Sequence, residues 1–386
     1  MSEPLGVAIV GCGIIGLNHA EAIARHPGLR LVALVDAVPA AARSLADHVD
    51  GRGRPRPAEY RSLADALAPI DGSGDATPRP AVDLVVICTP SGLHAALAAE
   101  ALAAGRHVVI EKPLEVTVPA ARELAALAAA AEESGLVASV ISQHRYDPAS
   151  VLVHAAIADG EFGVVTSGVA SVAWWRTQEY YDSAGWRGTW ALDGGGAVMN
   201  QGIHTVDLLL WMLGNPVEVS ARTALLAHDG IEVEDTAVAT VTFASGALGV
   251  IHSTTAAYPG PFARLQVHGS TGSAVIQDDR LEYFHVASRA ASDEGNQAWA
   301  VVAPEEVHGN PRDADAFVIG HLRQYEDVVA AIREHRQPVM RVEDAYRSMA
   351  VVRAMYLSAT LGRSVLVAEV LDGSLDAEEV RTGGSR

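Results

Sequence analysis

The sequence predicts an α/β chain of two domains: a doubly wound domain with a parallel sheet, then an α+β domain on a mostly antiparallel sheet. Over the first 140 residues, short β-branched runs alternate with Ala/Leu-rich helical stretches, whereas from about residue 150 strand-like runs follow one another directly. Length points the same way, because 386 residues exceed what one ordinary hydrophobic core serves.

The first β-branched runs are VAIV (7–10), LVALV (31–35), DLVVICT (83–89), HVVI (107–110) and LVASVI (136–141). Helical spacing occupies 17–26, 39–48, 60–68, 93–104 and 118–133 between them. Strand, helix, strand at this rhythm implies crossover units with helices on both faces of a parallel sheet. The polar, turn-rich IDGSGDATPRPA (70–81) reads as a surface insertion. Further on, FGVVTSGVASVAWW, PVEVSARTALLA, TAVATVTF, ALGVIHSTTAA, RLQVHGS and SAVIQDD read as strands, with a hairpin turning at Ser245-Gly246. Helices are expected at 315–335 and 343–361. The expected division is 1–145, then 146–371 with closing helices able to pack back on the first domain, then a flexible tail at 372–386.

Composition narrows the function classes. Hydrophobic content of 49% with 19% charged residues is globular. No apolar run reaches the ~18 residues of a membrane span, and MSEPLG has no basic leader character, so a cytoplasmic chain is expected. The 47 acidic against 28 basic side chains give a net charge of −19. Such a surface repels phosphate backbones, which argues against nucleic acid and anionic membrane as partners. Cys12 and Cys88 end predicted strands without metal-ligand spacing and read as small buried fillers, not a disulfide.

The chemistry begins at VAIVGCGIIGLNHA (7–20), a G-x-G-x-x-G that follows a strand and opens a helix. Gly11 permits the tight turn, Gly13 lets backbone N–H groups approach a pyrophosphate, and Gly16 lets helix and strand pack closely. The N–H groups at Ile14 and Ile15, with the helix dipole, attract the anion. Asp36 ends the next strand twenty residues after Gly16, placed to accept from both adenosine ribose hydroxyls. Its charge repels a 2′-phosphate and no cation follows it directly, Arg43 being the nearest, so NAD is expected over NADP. This is the pattern of a Rossmann dinucleotide-binding domain.

Two other strand ends stand where ligands gather in such sheets: CTPSGLH (88–94), with Thr89, Pro90 and His94, and EKP (111–113), with Glu111 and Lys112. Lys112, between an apolar strand and a proline, is placed at the sheet edge where a nicotinamide would end, suited to proton traffic or to polarising a substrate oxygen. Later, WRGTWALDGGGAVMNQGIHTVDLLLWMLG (186–214) sets Asn200, His204 and Asp207 at helical offsets on one face. That polar line faces a ligand or is an ordinary polar stripe. His204 and Asp207 lack a third ligand of convincing spacing, so no metal is expected. Arg145 in QHRYDP meets either substrate or an interdomain carboxylate. Trp174, Trp175, Trp186 and Trp190 offer faces for sugar rings, with Trp175 the candidate, although at least two of the four are expected in the core. The Arg-rich GRGRPRP (51–57) reads as a solvated loop.

Taken together and in order, GCGIIG, Asp36, CTP with His94, EKP, GGG-x-x-x-N-x-x-I-H-x-x-D and the closing EDVVAAI, EDAYRS and GRSV resemble the Gfo/Idh/MocA oxidoreductase family over nearly the whole chain. The resemblance implies a Rossmann domain followed by an α+β domain with a large open, mainly antiparallel sheet. It also implies a dimer or tetramer formed through that sheet, Lys112 beside the nicotinamide and reacting hydroxyl, and His204 as acid/base. Many sugar dehydrogenases of the family carry aspartate where this chain has Asn200; an amide accepts no proton, which shifts the relay onto His204 and Lys112. The expected activity is NAD-dependent oxidation of a secondary hydroxyl of a sugar, inositol, uronate or nucleotide sugar, or the reverse reduction. A non-catalytic NAD(P)-binding regulator and a reductase of a diol or imine remain the alternatives.

Overall fold

The computed structural model describes residues 3–68, 81–289, 295–309 and 315–382; the expected insertion at 70–81 lies, but for Ala81, outside them. The chain divides into two compact units, Met1–Glu115 with Ala120–Gln143 and Ala314–Glu343, and Val116–Pro119 with His144–Asp313 and Asp344–Arg386. The expected division at 145 is thus crossed twice, by 116–119 and by 314–343.

The first unit alternates β1 (Leu5–Val10), α1 (Ile14–Arg25), β2 (Leu29–Val35), α2 (Pro39–Gly51), β3 (Ala58–Tyr60), α3 (Leu63–Leu67), β4 (Leu84–Ile87), α4 (His94–Ala103), β5 (His107–Ile110), α5 (Val118–Glu133) and β6 (Ala138–Val140). The sheet is parallel in the order β3-β2-β1-β4-β5-β6. Helices on both faces bury its strands, which is why β4 is continuously apolar and buried rather than alternating. Order reverses between β1 and β4, and ligands of doubly wound sheets bind outside the carboxyl ends of strands at such a switch point. The three-residue β3 has no β-branched run to announce it; pairing with Ala33–Val35 makes it a strand.

The second unit opens with α6 (Pro148–Ala158), which the sequence reading does not anticipate. It continues through β7 (Val165–Ala173), α7 (Gln178–Asp182), α8 (Ile203–Leu213), β8 (Pro216–Ala224), β9 (Thr236–Phe243), β10 (Leu248–Thr254), β11 (Phe262–Gly269), β12 (Gly272–Gln277), β13 (Arg280–Val286) and α9 (Ala298–Val301). After these come α10 (Ala316–Glu334), α11 (Val342–Leu361), β14 (Val365–Leu366) and α12 (Val367–Leu371). The eight strands lie in the order β13-β12-β11-β7-β10-β9-β8-β14, antiparallel except for β7 beside β10. The β9–β10 hairpin turns at Ser245-Gly246 as expected, Gly246 taking φ +86. In β9 exposed and buried positions alternate, so one sheet face is covered and the other is not.

α10 belongs to the first unit, where Tyr325, Val328 and Val329 join Ile23 of α1 and Val7 and Ile9 of β1 in one core. The expected loose tail is tied down as far as residue 382. Arg353 donates to the Glu378 carbonyl at 2.7 Å, and Thr360 and Arg381 exchange hydrogen bonds. Side chains of α11 reach backbone groups that an acidic composition does not reveal.

Candidate functional site

In the first unit the glycine turn makes a cradle. α1 starts behind Gly13, which has no side chain to cap it, so the first-turn N–H groups have no side-chain partner. A Cβ on Gly13 would meet nothing within 4 Å, whereas one on Gly16 would lie 2.3 Å from the Gly11 carbonyl oxygen. Gly13 therefore borders open space and Gly16 a close backbone crossing, the split expected of a diphosphate turn. Ile14 is 82% exposed and Ile15 stands beside it at the mouth. Asp36 is held by backbone: Oδ2 accepts from Cys12 N–H at 2.9 Å and Oδ1 from Val38 N–H at 2.8 Å. At the end of β4, ahead of Pro90, the buried Thr89 Oγ1 has no hydrogen-bond partner. Free donors, open space at Gly13, an oriented carboxylate and an orphan hydroxyl fit a dinucleotide.

The EKP turn departs from expectation. Glu111 faces inward, not toward a cofactor. Its Oε1 lies 2.9 Å from His19 Nε2 and 3.4 Å from His321 Nε2, and its Oε2 accepts the Lys112 N–H at 2.9 Å. Burial alone would raise this carboxyl, but the two imidazoles hold it well below the usual carboxylate range. Burial pushes His19 down despite Glu111, and Tyr325 Oη lies 2.6 Å from its Nδ1. His94 is also a brace rather than a cofactor ligand: it is buried, with Nδ1 2.9 Å from the Pro113 carbonyl and Nε2 2.9 Å from that of Thr89. Lys112, half-buried two residues past β5, is the member of the motif left at the sheet edge. Sequence reading missed His19, His321 and Tyr325. A histidine on the buried face of an Ala-rich helix was the available signal for His19.

In the second unit three glycines precede the His204 helix because nothing larger fits. A Cβ on Gly196 would lie 1.8 Å from the Glu234 backbone oxygen. The buried Glu234 side chain accepts from Gly196 N–H at 3.0 Å, Val198 N–H at 2.9 Å and Tyr356 O–H at 3.1 Å. Burial pushes its carboxyl up to about 7 against those donors. Residues 198–202 wind as a π-helix before α8, which breaks the expected polar line. Asn200 turns its amide onto the Gly195 carbonyl at 2.8 Å.

Asp207 and Arg145, both expected to face a substrate, face each other instead. Arg145 Nε and Nη2 each donate to Asp207 at 2.7 Å, both side chains are buried, and Ser348 adds a bond at 3.0 Å. This pair lies within the second unit, so it is not an interdomain bridge. It also removes Asp207 as a metal partner of His204.

His204 is half-buried, its ring edge-on to His144 at 5.1 Å between centroids. His144 Nδ1 lies 2.9 Å from Asp147 and 3.0 Å from Asp279. Burial would lower this imidazole; Asp279 and Asp147 override it and raise it to about 10. The tryptophans correct another expectation, since none of the four is in the core. Trp175 packs beside His228 at 5.8 Å and the exposed Tyr258 at 5.7 Å.

A doubly wound unit with a diphosphate cradle, followed by an open-sheet unit, defines the NAD-dependent dehydrogenases of two-domain type. Residues 5–141 match the oxidoreductase family with an NAD-binding Rossmann fold, and residues 151–275 match a GFO/IDH/MocA C-terminal domain. The chain belongs to the Gfo/Idh/MocA oxidoreductase family, and its cofactor is NAD. It is similar to inositol 2-dehydrogenase of Rhizobium meliloti, 26% identical over 369 residues, covering 93% of this chain and 98% of that protein. It is also similar to 1,5-anhydro-D-fructose reductase of Ensifer adhaerens, 32% identical over 294 residues, covering 74% and 80%. Among solved structures, the WlbA dehydrogenase from Bordetella pertussis in complex with NADH and UDP-GlcNAcA matches with a TM-score of 0.77 at 31% identity, covering 95% of this chain and 98% of that one.

Proposed function

We propose that the chain oxidises a secondary hydroxyl of a sugar, inositol, uronate or nucleotide sugar, or reduces the matching ketone, with Lys112 and His204 handling the proton and oxygen. The single observation behind this reading is the inward lock on Glu111, which fixes the EKP turn by the Lys112 N–H and leaves Lys112 at the carboxyl edge of the sheet. Bound NAD supplies the hydride acceptor. The first-turn N–H groups of α1 hold its diphosphate and Asp36 its ribose hydroxyls. His204 takes the hydroxyl proton, and the Lys112 ammonium stabilises the oxygen as it becomes a carbonyl. Asn200, bonded to Gly195, takes no proton. Relatives named for inositol and for a complex with UDP-GlcNAcA support a polyhydroxylated substrate.

The same reading makes the uncovered face of the second sheet an interface between copies of the chain. Leu248 is 60% and Val238 47% exposed there, with Val250 beside them. Isolated apolar side chains are ordinary on a surface, but a run of them on one sheet face marks an association site.

The test is a screen for NADH formation with inositols, aldoses, uronates and nucleotide sugars, run in parallel with NAD and NADP. Lys112→Ala and His204→Ala should each lower turnover on the active substrate by about 10²–10⁴-fold while NADH binding persists. Full activity in both variants would overturn the assignment and leave the fold untouched.

A further inference from the structure

Two arginines gather on one aromatic cluster in the second unit. The arginine-rich loop is neutralised within its own unit: Arg54 faces Glu21 at 3.6 Å, and Arg56 faces Asp47 at 2.6 Å and Glu59 at 2.7 Å. Arg145 is forked onto Asp207. Among the described residues, Arg176 and Arg187 have no carboxylate within 4.0 Å and no side-chain hydrogen bond. Their guanidinium groups stack instead on one aromatic cluster. Arg176 lies over Trp174 at 5.4 Å and over Tyr180 at 5.0 Å, and Arg187 over Tyr180 at 4.3 Å and Trp186 at 4.5 Å. The Nε of each is buried without a partner, while the terminal nitrogens are not sealed from solvent.

In a chain of net charge −19, a pair of like charges gathered on one tyrosine without a counter-ion is an exception. Packing guanidinium planes on aromatic rings fixes their forks and costs part of their hydration, which a bound oxyanion recovers. The location is also specific. Gln201, three residues before His204, donates to Tyr180 Oη at 3.3 Å, so the cluster abuts the helix that carries His204 within the same unit. Trp186, 43% exposed, stands at its edge.

We propose that Arg176 and Arg187 form an anion subsite beside the His204 helix, taking the carboxylate or phosphate of an acidic sugar. This rests on the dehydrogenase reading and narrows its substrate class from sugars in general to anionic ones. The guanidinium forks bind an oxyanion through charge-assisted hydrogen bonds, and the sugar or base attached to it can lie beside Trp186.

The test needs no turnover. The NADH-bound full chain is titrated with sodium pyrophosphate, glucuronate and glucose, reading tryptophan fluorescence and calorimetric heat. Pyrophosphate or glucuronate should bind and glucose should not. Arg176→Gln and Arg187→Gln should each weaken the bound anion about 10- to 100-fold with NADH affinity unchanged. Binding of pyrophosphate alone identifies a phosphate subsite, and binding of glucuronate alone a carboxylate subsite. If neither anion binds, or both variants bind as wild type does, the subsite is refuted. Turnover of neutral sugars, insensitive to both substitutions, would likewise remove the subsite while sparing the dehydrogenase reading. Arg-dependent anion binding with no turnover anywhere in the sugar screen would keep the subsite and discard that reading.

Discussion

At the scale of single residues, the buried charges separate framework from function. Arg145→Ala would strand the Asp207 carboxylate away from water, and breaking a buried pair in this way costs about 3–5 kcal/mol. Urea denaturation should record that loss, with the substrate KM little changed. A variant of unaltered stability with a raised KM would return Arg145 to the substrate site. His144 gives a pH signature. Its folded value, raised to about 10 from an ordinary 6.5, means the stabilisation is complete below pH 6.5 and fades as pH rises toward 10. Thermal melts of His144→Gln should therefore show the largest deficit near pH 6 and a shrinking one at pH 8 and pH 10; a deficit that grows with pH would contradict the ion pairs. These side chains were visible as letters in QHRYDP and H-x-x-D, and Asp147 stands within the first motif, but Asp279 for His144 and Asp207 for Arg145 lie far along the chain, so the motif could not say which charge faced a ligand.

At the scale of elements, the entry to the His204 helix depends on a carboxylate from a distant segment. Glu234 accepts the Gly196 and Val198 N–H groups at the exit of the glycine turn, and Tyr356 of α11 closes the third bond. Its folded value of about 7 lies above the ordinary 4.5, so this group's contribution weakens as pH rises from 4.5 through 7, where the fold must hold a buried charge. Tyr356→Phe removes a donor the charged form needs, and should cost about 1–2 kcal/mol, more at pH 8 than at pH 5. Equal loss at both values would mean that Glu234 does not ionise in that range. The glycines were legible, and so was the need for a close approach. What approaches them was not, because Glu234 sits in an unremarked connection before β9. The π-turn at 198–202 was equally hidden, since helical offsets assume regular winding.

At the scale of the molecule, the uncovered sheet face gives the oligomer prediction. Leu248→Glu with Val250→Glu should lower the mass found by light scattering to that of a single chain and leave the far-ultraviolet spectrum unchanged. Wild type already running as a monomer would dismiss the interface. Cofactor choice belongs here too, because strand order places the end of β2 beside the glycine turn. Asp36→Ala should weaken NADH more than NADPH in parallel titrations, and an unchanged ratio would show that the carboxylate does not discriminate.

The alternation of β-branched runs with Ala-rich helices, the glycine spacing and the acidic residue at the end of β2 act over short stretches of chain. Local propensity and crossover geometry therefore made the parallel sheet, the glycine turn at its first strand and the hairpin at Ser245-Gly246 readable from sequence alone. The tertiary structure alone decided that Glu111 turns inward onto His19 and His321 and that Asp207 is neutralised by Arg145. Each of these is a choice of partner for a charge or an apolar face among residues tens to hundreds of positions apart. Desolvation makes that choice, and periodicity and spacing carry no record of it.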